Sequence, residues 1–152
     1  MIFALVFKIK NWYIIFMCDP YSVYTDGASR GNPGEAAAGF LVYNHKKELV
    51  HKEGNYLGKA TNNEAEYQAV ILALKFLKKS KAKKANFYLD STLVVKQIKG
   101  EFKIKEPRMQ KFCLEIKSLI WETGLTADFT HIRREQNKEA DALVNEILDD
   151  QQ

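Results

Sequence analysis

The order in which strand-like and helix-like segments follow one another constrains this chain more than any other feature. Tyr21-Ser-Val-Tyr-Thr25 alternates in polarity, carries β-favouring residues and stops at Asp26. GASRGNPGE, residues 27–35, reads as turn chemistry, tightest at Asn32-Pro33-Gly34. Residues 36–43 and 48–56 give two further strands around a polar Asn44-His45-Lys46-Lys47 turn. Then the period changes. Tyr67, Val70, Ile71, Leu74 and Leu77 recur at helical spacing, with Asn63 as the expected cap. A strand over 85–89, a short helix over 91–99, a helix over 109–122, a strand over 125–132 and a helix over 138–148 complete the chain. The third of these helices carries Phe112, Ile116, Leu119 and Ile120 on one face. Short links suit antiparallel pairing, whereas helical crossovers join parallel strands. The expected fold is therefore α/β, one mixed sheet with helices packed on it.

At 152 residues the chain has room for one domain with a sizeable core, and neither a repeat nor a linker interrupts it. Residues 21–148 are the expected domain, and 149–152 the frayed end. Residues 1–20 form an apolar extension broken by Lys8, Lys10 and Asn11. Its apolar runs, 1–7 and 12–18, fall far short of the roughly 20 residues of a spanning helix, so no stable membrane insertion is expected. Cys18-Asp19-Pro20 fits poorly as the end of a secretory signal. An extra strand, a docking tail and residues upstream of a start at Met17 are the open readings. Cys18 and Cys113 supply no disulfide framework and no zinc spacing, and as reduced thiols they suit a cytoplasmic protein. A net charge of +4 leans towards a polyanionic partner. A monomer is the expected state.

Four carboxylates fall where segments begin or end. Asp26 ends the first strand of the domain and Asp90 the fourth; Glu66 and Asp141 open two helices. If those strands are parallel neighbours, both aspartates emerge at the sheet edge where α/β folds place ligands. Four carboxylates in one spot would repel and raise one another's pKa values. Hard divalent cations remove that repulsion, and a two-metal phosphodiester site follows. Each residue alone also has an ordinary reading: Glu66 in a capping arrangement, Asp90 as a cap, Asp141 favouring a helix dipole, Asp26 in a turn. The joint pattern favours the site.

YTDGASRGNPG (24–34), TNNEAEYQAVILAL (61–74), LDSTLVVKQI (89–98) and NKEADALV (137–144) occur in that order. Together they closely resemble type 1 ribonuclease H. The resemblance implies a ribonuclease H-like α/β fold, a five-stranded mixed sheet of order 3-2-1-4-5 flanked by helices. It also implies an endonuclease that hydrolyses the RNA strand of RNA–DNA hybrids with Mg²⁺, two ions per site in the substrate complex, or Mn²⁺ as substitute. The family's metal ligands fall on Asp26, Glu66, Asp90 and Asp141. Asp26 would bridge both ions, Glu66 and Asp90 complete one site and Asp141 the other. One ion would activate water for in-line attack and the other stabilise the leaving 3′-oxygen, giving 5′-phosphate and 3′-hydroxyl ends. Substrate contacts are implied at Gly27, Asn32, Thr61, Asn62, Asn63 and Asn137, with Thr61 on a DNA phosphate and Glu66 on a 2′-hydroxyl.

Two departures from the best-known family pattern shape the remaining expectations. His131 has the spacing of the family's catalytic-loop histidine before Asp141, but Phe129-Thr130-His131-Ile132 reads as a strand end, and the loop after it lacks glycine. The segment resembles the prokaryotic subgroup without the mobile histidine, so Arg134 rather than His131 is expected near the scissile phosphate. Its ordinary reading is a surface arginine paired with Glu135 or Glu139. The interval Lys99–Pro107 is too short for the family's basic protrusion. Lys99, Lys103, Lys105, Arg108 and Lys111 would form a thinner basic patch and give salt-sensitive binding. The lysine run from Lys75 to Lys84 is read as a solvated face. A non-catalytic hybrid-binding module of the same fold would be expected to have lost a carboxylate. A superfamily nuclease that also cleaves double-stranded RNA stays open as the second alternative.

Overall fold

The structure, a computed structural model, describes the backbone of residues 4–9 and 12–17 and all of residues 19–152. The elements are β1 (Ala4–Ile9), β2 (Trp12–Met17), β3 (Tyr21–Gly31), β4 (Gly34–Tyr43), β5 (Leu49–Ala60), α1 (Asn62–Lys79), β6 (Lys84–Leu89), α2 (Thr92–Ile98), α3 (Pro107–Thr123), β7 (Thr126–His131) and α4 (Lys138–Asp149), with a 3₁₀ turn over Arg134–Gln136. β1 and β2 pair antiparallel in a sheet of their own and do not extend the main sheet. The other expectations for residues 1–20 fall partly on residues 1–3, 10, 11 and 18, which lie outside the described residues.

The main sheet runs β5-β4-β3-β6-β7. Counted from β3 as the first strand, this is the 3-2-1-4-5 order. β3, β4 and β5 pair antiparallel, while β6 lies parallel to both β3 and β7. One face buries Val23, Phe40 and Phe87 against Val70, Leu74 and Ile116 of α1 and α3. The other packs Leu41 and Ala37 against Leu143, Val144 and Leu148 of α4.

Several boundaries differ from the sequence reading, β5 for one running to Ala60 rather than stopping at residue 56, and those that bear on the site have a physical reason. β3 does not stop at Asp26: residues Gly27 to Gly31 pair with Ala38 to Gly34, so only Asn32 and Pro33 make the turn. A long partner strand recruits residues whose own preference is for turns. The cap of α1 is Thr61, not Asn63. Its Oγ1 accepts the Glu64 N–H at 3.2 Å, and Glu64 Oε2 accepts the Thr61 N–H at 2.7 Å, a reciprocal capping box. Ser91 caps α2 by accepting the Val94 N–H at 3.3 Å, so Asp90 is spared that duty. At the other terminus α4 runs through Asp149, whose carboxylate pairs with Arg30.

A candidate divalent-metal centre

Register brings the first two acids together. Tyr24 of β3 lies opposite Tyr88 of β6, so Asp26 and Asp90 follow side by side, two residues further along parallel neighbours. Glu66 arrives from the other direction, just past the first turn of α1. It can come this close because of Gly27. A Cβ there would overlap the Ala65 carbonyl and the Glu66 nitrogen, so the head of α1 rests directly on the β3 backbone. As a result, carboxylate oxygens of Asp26, Glu66 and Asp90 all lie within 4.8 Å of one another.

The trio is electrostatically unsettled. Asp26 and Glu66 are buried, 5% and 8% exposed, and Asp90 is half-buried. Burial, then the charges of Asp90 and Asp141, push the Asp26 carboxyl up to about 7, against the pull of the Gly27 N–H and Arg134. Burial and the two neighbouring aspartates likewise hold Glu66 well above the usual carboxylate range. Its Oε2 is buried with no hydrogen-bond partner among the described residues. Buried polar atoms are normally paired, so an orphaned oxygen inside a carboxylate cluster is what a hard cation would satisfy. The donor set fits divalent metal ions.

Asp141, in the first turn of α4, stands just outside this trio, half-exposed. Its Oδ1 accepts from Arg134 Nη2 at 3.1 Å. The arginine's expected ordinary partners, Glu135 and Glu139, are not the ones it takes. The ion pair pushes the Arg134 guanidinium up, so it stays charged. His131 ends β7 opposite Leu89, exposed and without an ion pair or side-chain hydrogen bond among the described residues.

The remaining expected contacts cluster at the head of α1. Asn32 Oδ1 accepts the Asn62 N–H at 3.1 Å, and Asn62 Oδ1 accepts the Ser29 N–H at 2.9 Å. These bonds stitch the β3–β4 hairpin to the helix, and Asn32, Asn62 and Asn63 stay exposed beside the half-buried Thr61. Asn137 is placed differently from the expectation. It is 1% exposed, and its Nδ2 donates to the Thr25 carbonyl at 2.9 Å, so it braces the α4 junction against β3 rather than facing the groove. Sequence reading also missed Glu64, a buried acid; the Thr-x-x-Glu spacing behind Thr61 was the available signal. The lysine run stands as read: Lys75 and Lys78 pair with Glu115 and Glu122 of α3 at 3.4 and 2.9 Å.

A family model described as reverse transcriptase-like matches residues 24–147. Ribonuclease HI of Halobacterium salinarum is 40% identical over 128 residues, and the match spans 84% of this chain but 63% of that relative's length. The crystal structure of RNase H1 from the same archaeon superposes with a TM-score of 0.82 at 39% identity, covering 86% of this chain and 98% of that one. LC11-RNase H1, isolated from compost and solved in complex with RNA/DNA hybrid, gives 0.82 at 37% identity, covering 86% and 97%.

Proposed function

This chain belongs to the type 1 ribonuclease H family, and on that footing we propose that it hydrolyses the RNA strand of RNA–DNA hybrids with divalent cations held by Asp26, Glu66, Asp90 and Asp141. The observation that carries the reading is the carboxylate trio, with Asp26 and Glu66 buried, in which one Glu66 oxygen has no hydrogen-bond partner among the described residues. Two bound ions, Mg²⁺ or Mn²⁺, would supply the Lewis acidity that readies water for in-line attack and the charge that steadies the departing 3′-oxygen, leaving 5′-phosphate and 3′-hydroxyl ends.

Asp26 has Glu66 and Asp90 within reach and feels the charge of Asp141, which suits a ligand shared between two sites. Glu66 would accept a 2′-hydroxyl, the group by which RNA differs from DNA. Arg134, paired with Asp141, cannot act as a base at neutral pH, but its planar fork would suit a phosphate of the substrate. In this reading Thr61, Asn62, Asn63 and Asn32 contact the hybrid, while Gly27 is buried beneath the head of α1. Residues 21–148 form the catalytic unit in this reading, of the prokaryotic subgroup that lacks the basic protrusion, acting as a monomer in the cytoplasm. No helix among the described residues is long and apolar enough to cross a membrane.

The test is cleavage of a labelled hybrid in Mg²⁺ and in Mn²⁺, with double-stranded RNA as rival substrate. We expect hybrid cleavage that disappears in EDTA and falls by about 10³ or more in Asp26→Asn. A folded wild-type chain that binds hybrid and leaves it intact would reduce the protein to a binding module.

A further inference from the structure

The basic residues of the 99–111 interval are not equivalent. Lys99 pairs with Glu101 beside it at 3.5 Å, an exposed local contact. Arg108, in the first turn of α3, instead reaches across to α1 and brings Nη1 to 2.6 Å from Glu64 Oε1. The Arg108 side chain is 73% exposed, but the Glu64 side chain is only 6% exposed. Exposed ion pairs contribute little. A buried carboxylate left without a partner is costly, so this pair is of another kind.

Glu64 uses both oxygens. Oε1 meets Arg108, and Oε2 accepts the Thr61 N–H at 2.7 Å. The chain of contacts continues through Asn62 to Asn32 and Ser29 of the β3–β4 hairpin. Arg108 therefore stands at one end of a bonded path that crosses the head of α1 and ends on the strands flanking the carboxylate trio.

We propose that Arg108 is a positioning residue for the nucleic-acid groove: acting through Glu64, it holds the capping box that presents Thr61, Asn62 and Asn63 to the hybrid. The inference rests on the hybrid-nuclease reading and adds a residue from α3 to it. Without the guanidinium, the Glu64 carboxylate turns towards water, its grip on the Thr61 N–H loosens and the first turn of α1 frays. Binding must then re-order that turn, and the cost falls on association. Glu66 lies further along the helix, where the Gly27 contact seats it independently, so the chemical step is spared.

Arg108→Ala is expected to raise KM for hybrid about threefold to tenfold while kcat stays within about twofold. Arg108→Lys, which keeps the charge, recovers part of the loss. Glu64→Gln raises KM similarly, and the double variant adds nothing further; additive losses would overturn the proposal. The slope of log affinity against log salt stays unchanged in Arg108→Ala. A slope shallower by about one would mean that Arg108 itself holds a phosphate, and positioning would be the wrong role. Amide hydrogen exchange at Thr61 and Glu64, measured without substrate, quickens in Arg108→Ala. Unchanged protection there sinks the proposal whether or not the wild-type chain cleaves hybrid. Failure of hybrid cleavage with quickened exchange instead removes the nuclease reading and leaves the Arg108–Glu64 brace standing.

Discussion

The two ends of α1 carry opposite charges in opposite surroundings. At the amino end Glu64 and Glu66 are buried; at the carboxyl end Lys75, Lys78 and Lys79 stand out of the fold. Both placements suit the helix dipole, acids at its positive end and bases at its negative end. Only one of them enters the proposed site. Lys75 and Lys78 are exposed, and each pairs with a glutamate of α3. Within the amino end the contrast sharpens again: Glu64 has a partner for each oxygen, whereas Glu66, among the described residues, keeps one oxygen without a partner beside other carboxylates. In the proposed reading, charge becomes functional where burial withholds a partner, and it merely solubilises where solvent supplies one.

Glu66→Gln is the most direct way to break this comparison. Cleavage should fall by about 10³, while the melting temperature in EDTA rises by about 2–4 °C, because a buried acid crowded by like charges is gone. Full activity with an unchanged melting temperature would make Glu66 an ordinary helix-start acid.

The pH dependence sharpens the same point. Asp26 titrates at about 7 when folded against 3.8 ordinarily, so the folded chain holds more protons than the unfolded one between those values. Metal-free stability should therefore fall as pH rises from about 4 to about 7, by up to about 4 kcal/mol, and level off above. Glu66 contributes with the same sign. Denaturant unfolding in EDTA at pH 5 and pH 8 measures this; stability that climbs over that interval contradicts it. Divalent cation should flatten the slope, since it favours the ionised carboxylates. At the quiet end of the helix, Lys78→Ala should change stability by less than about 0.5 kcal/mol and leave KM unaltered. A large rise in KM would place the lysine run on the substrate after all.

Much of this was legible in the chain because the informative residues sit where one periodicity gives way to another. Asp90 and Asp141 fall at or beside changes between strand, loop and helix, whereas Asp26, read as a strand's end, lies inside β3; the short and long connections separate antiparallel from parallel strands. The strand order came with the family resemblance, and the structure shows the same order. What could not be read depends on distant partners. Gly27 to Gly31 look like a turn until β4 pairs with them. Asn63 looks like a cap as readily as Thr61 until the Glu64 side chain folds back. Arg108 reads as one of a patch of surface cations, because nothing local announces that α3 begins beside a buried glutamate. Asn137 sits inside a motif, yet its side chain turns to the Thr25 carbonyl, an orientation set by how α4 meets β3.

The seat of α1 on β3 at Gly27 has a mechanical consequence. Backbone atoms, which every residue shares, set the gap between Asp26 and Glu66, so side-chain drift in the core can loosen packing without widening it. The contact works as a hard stop made by leaving one side chain out. Warming the molecule would have to lift the whole helix head from the strand before the two acids could part.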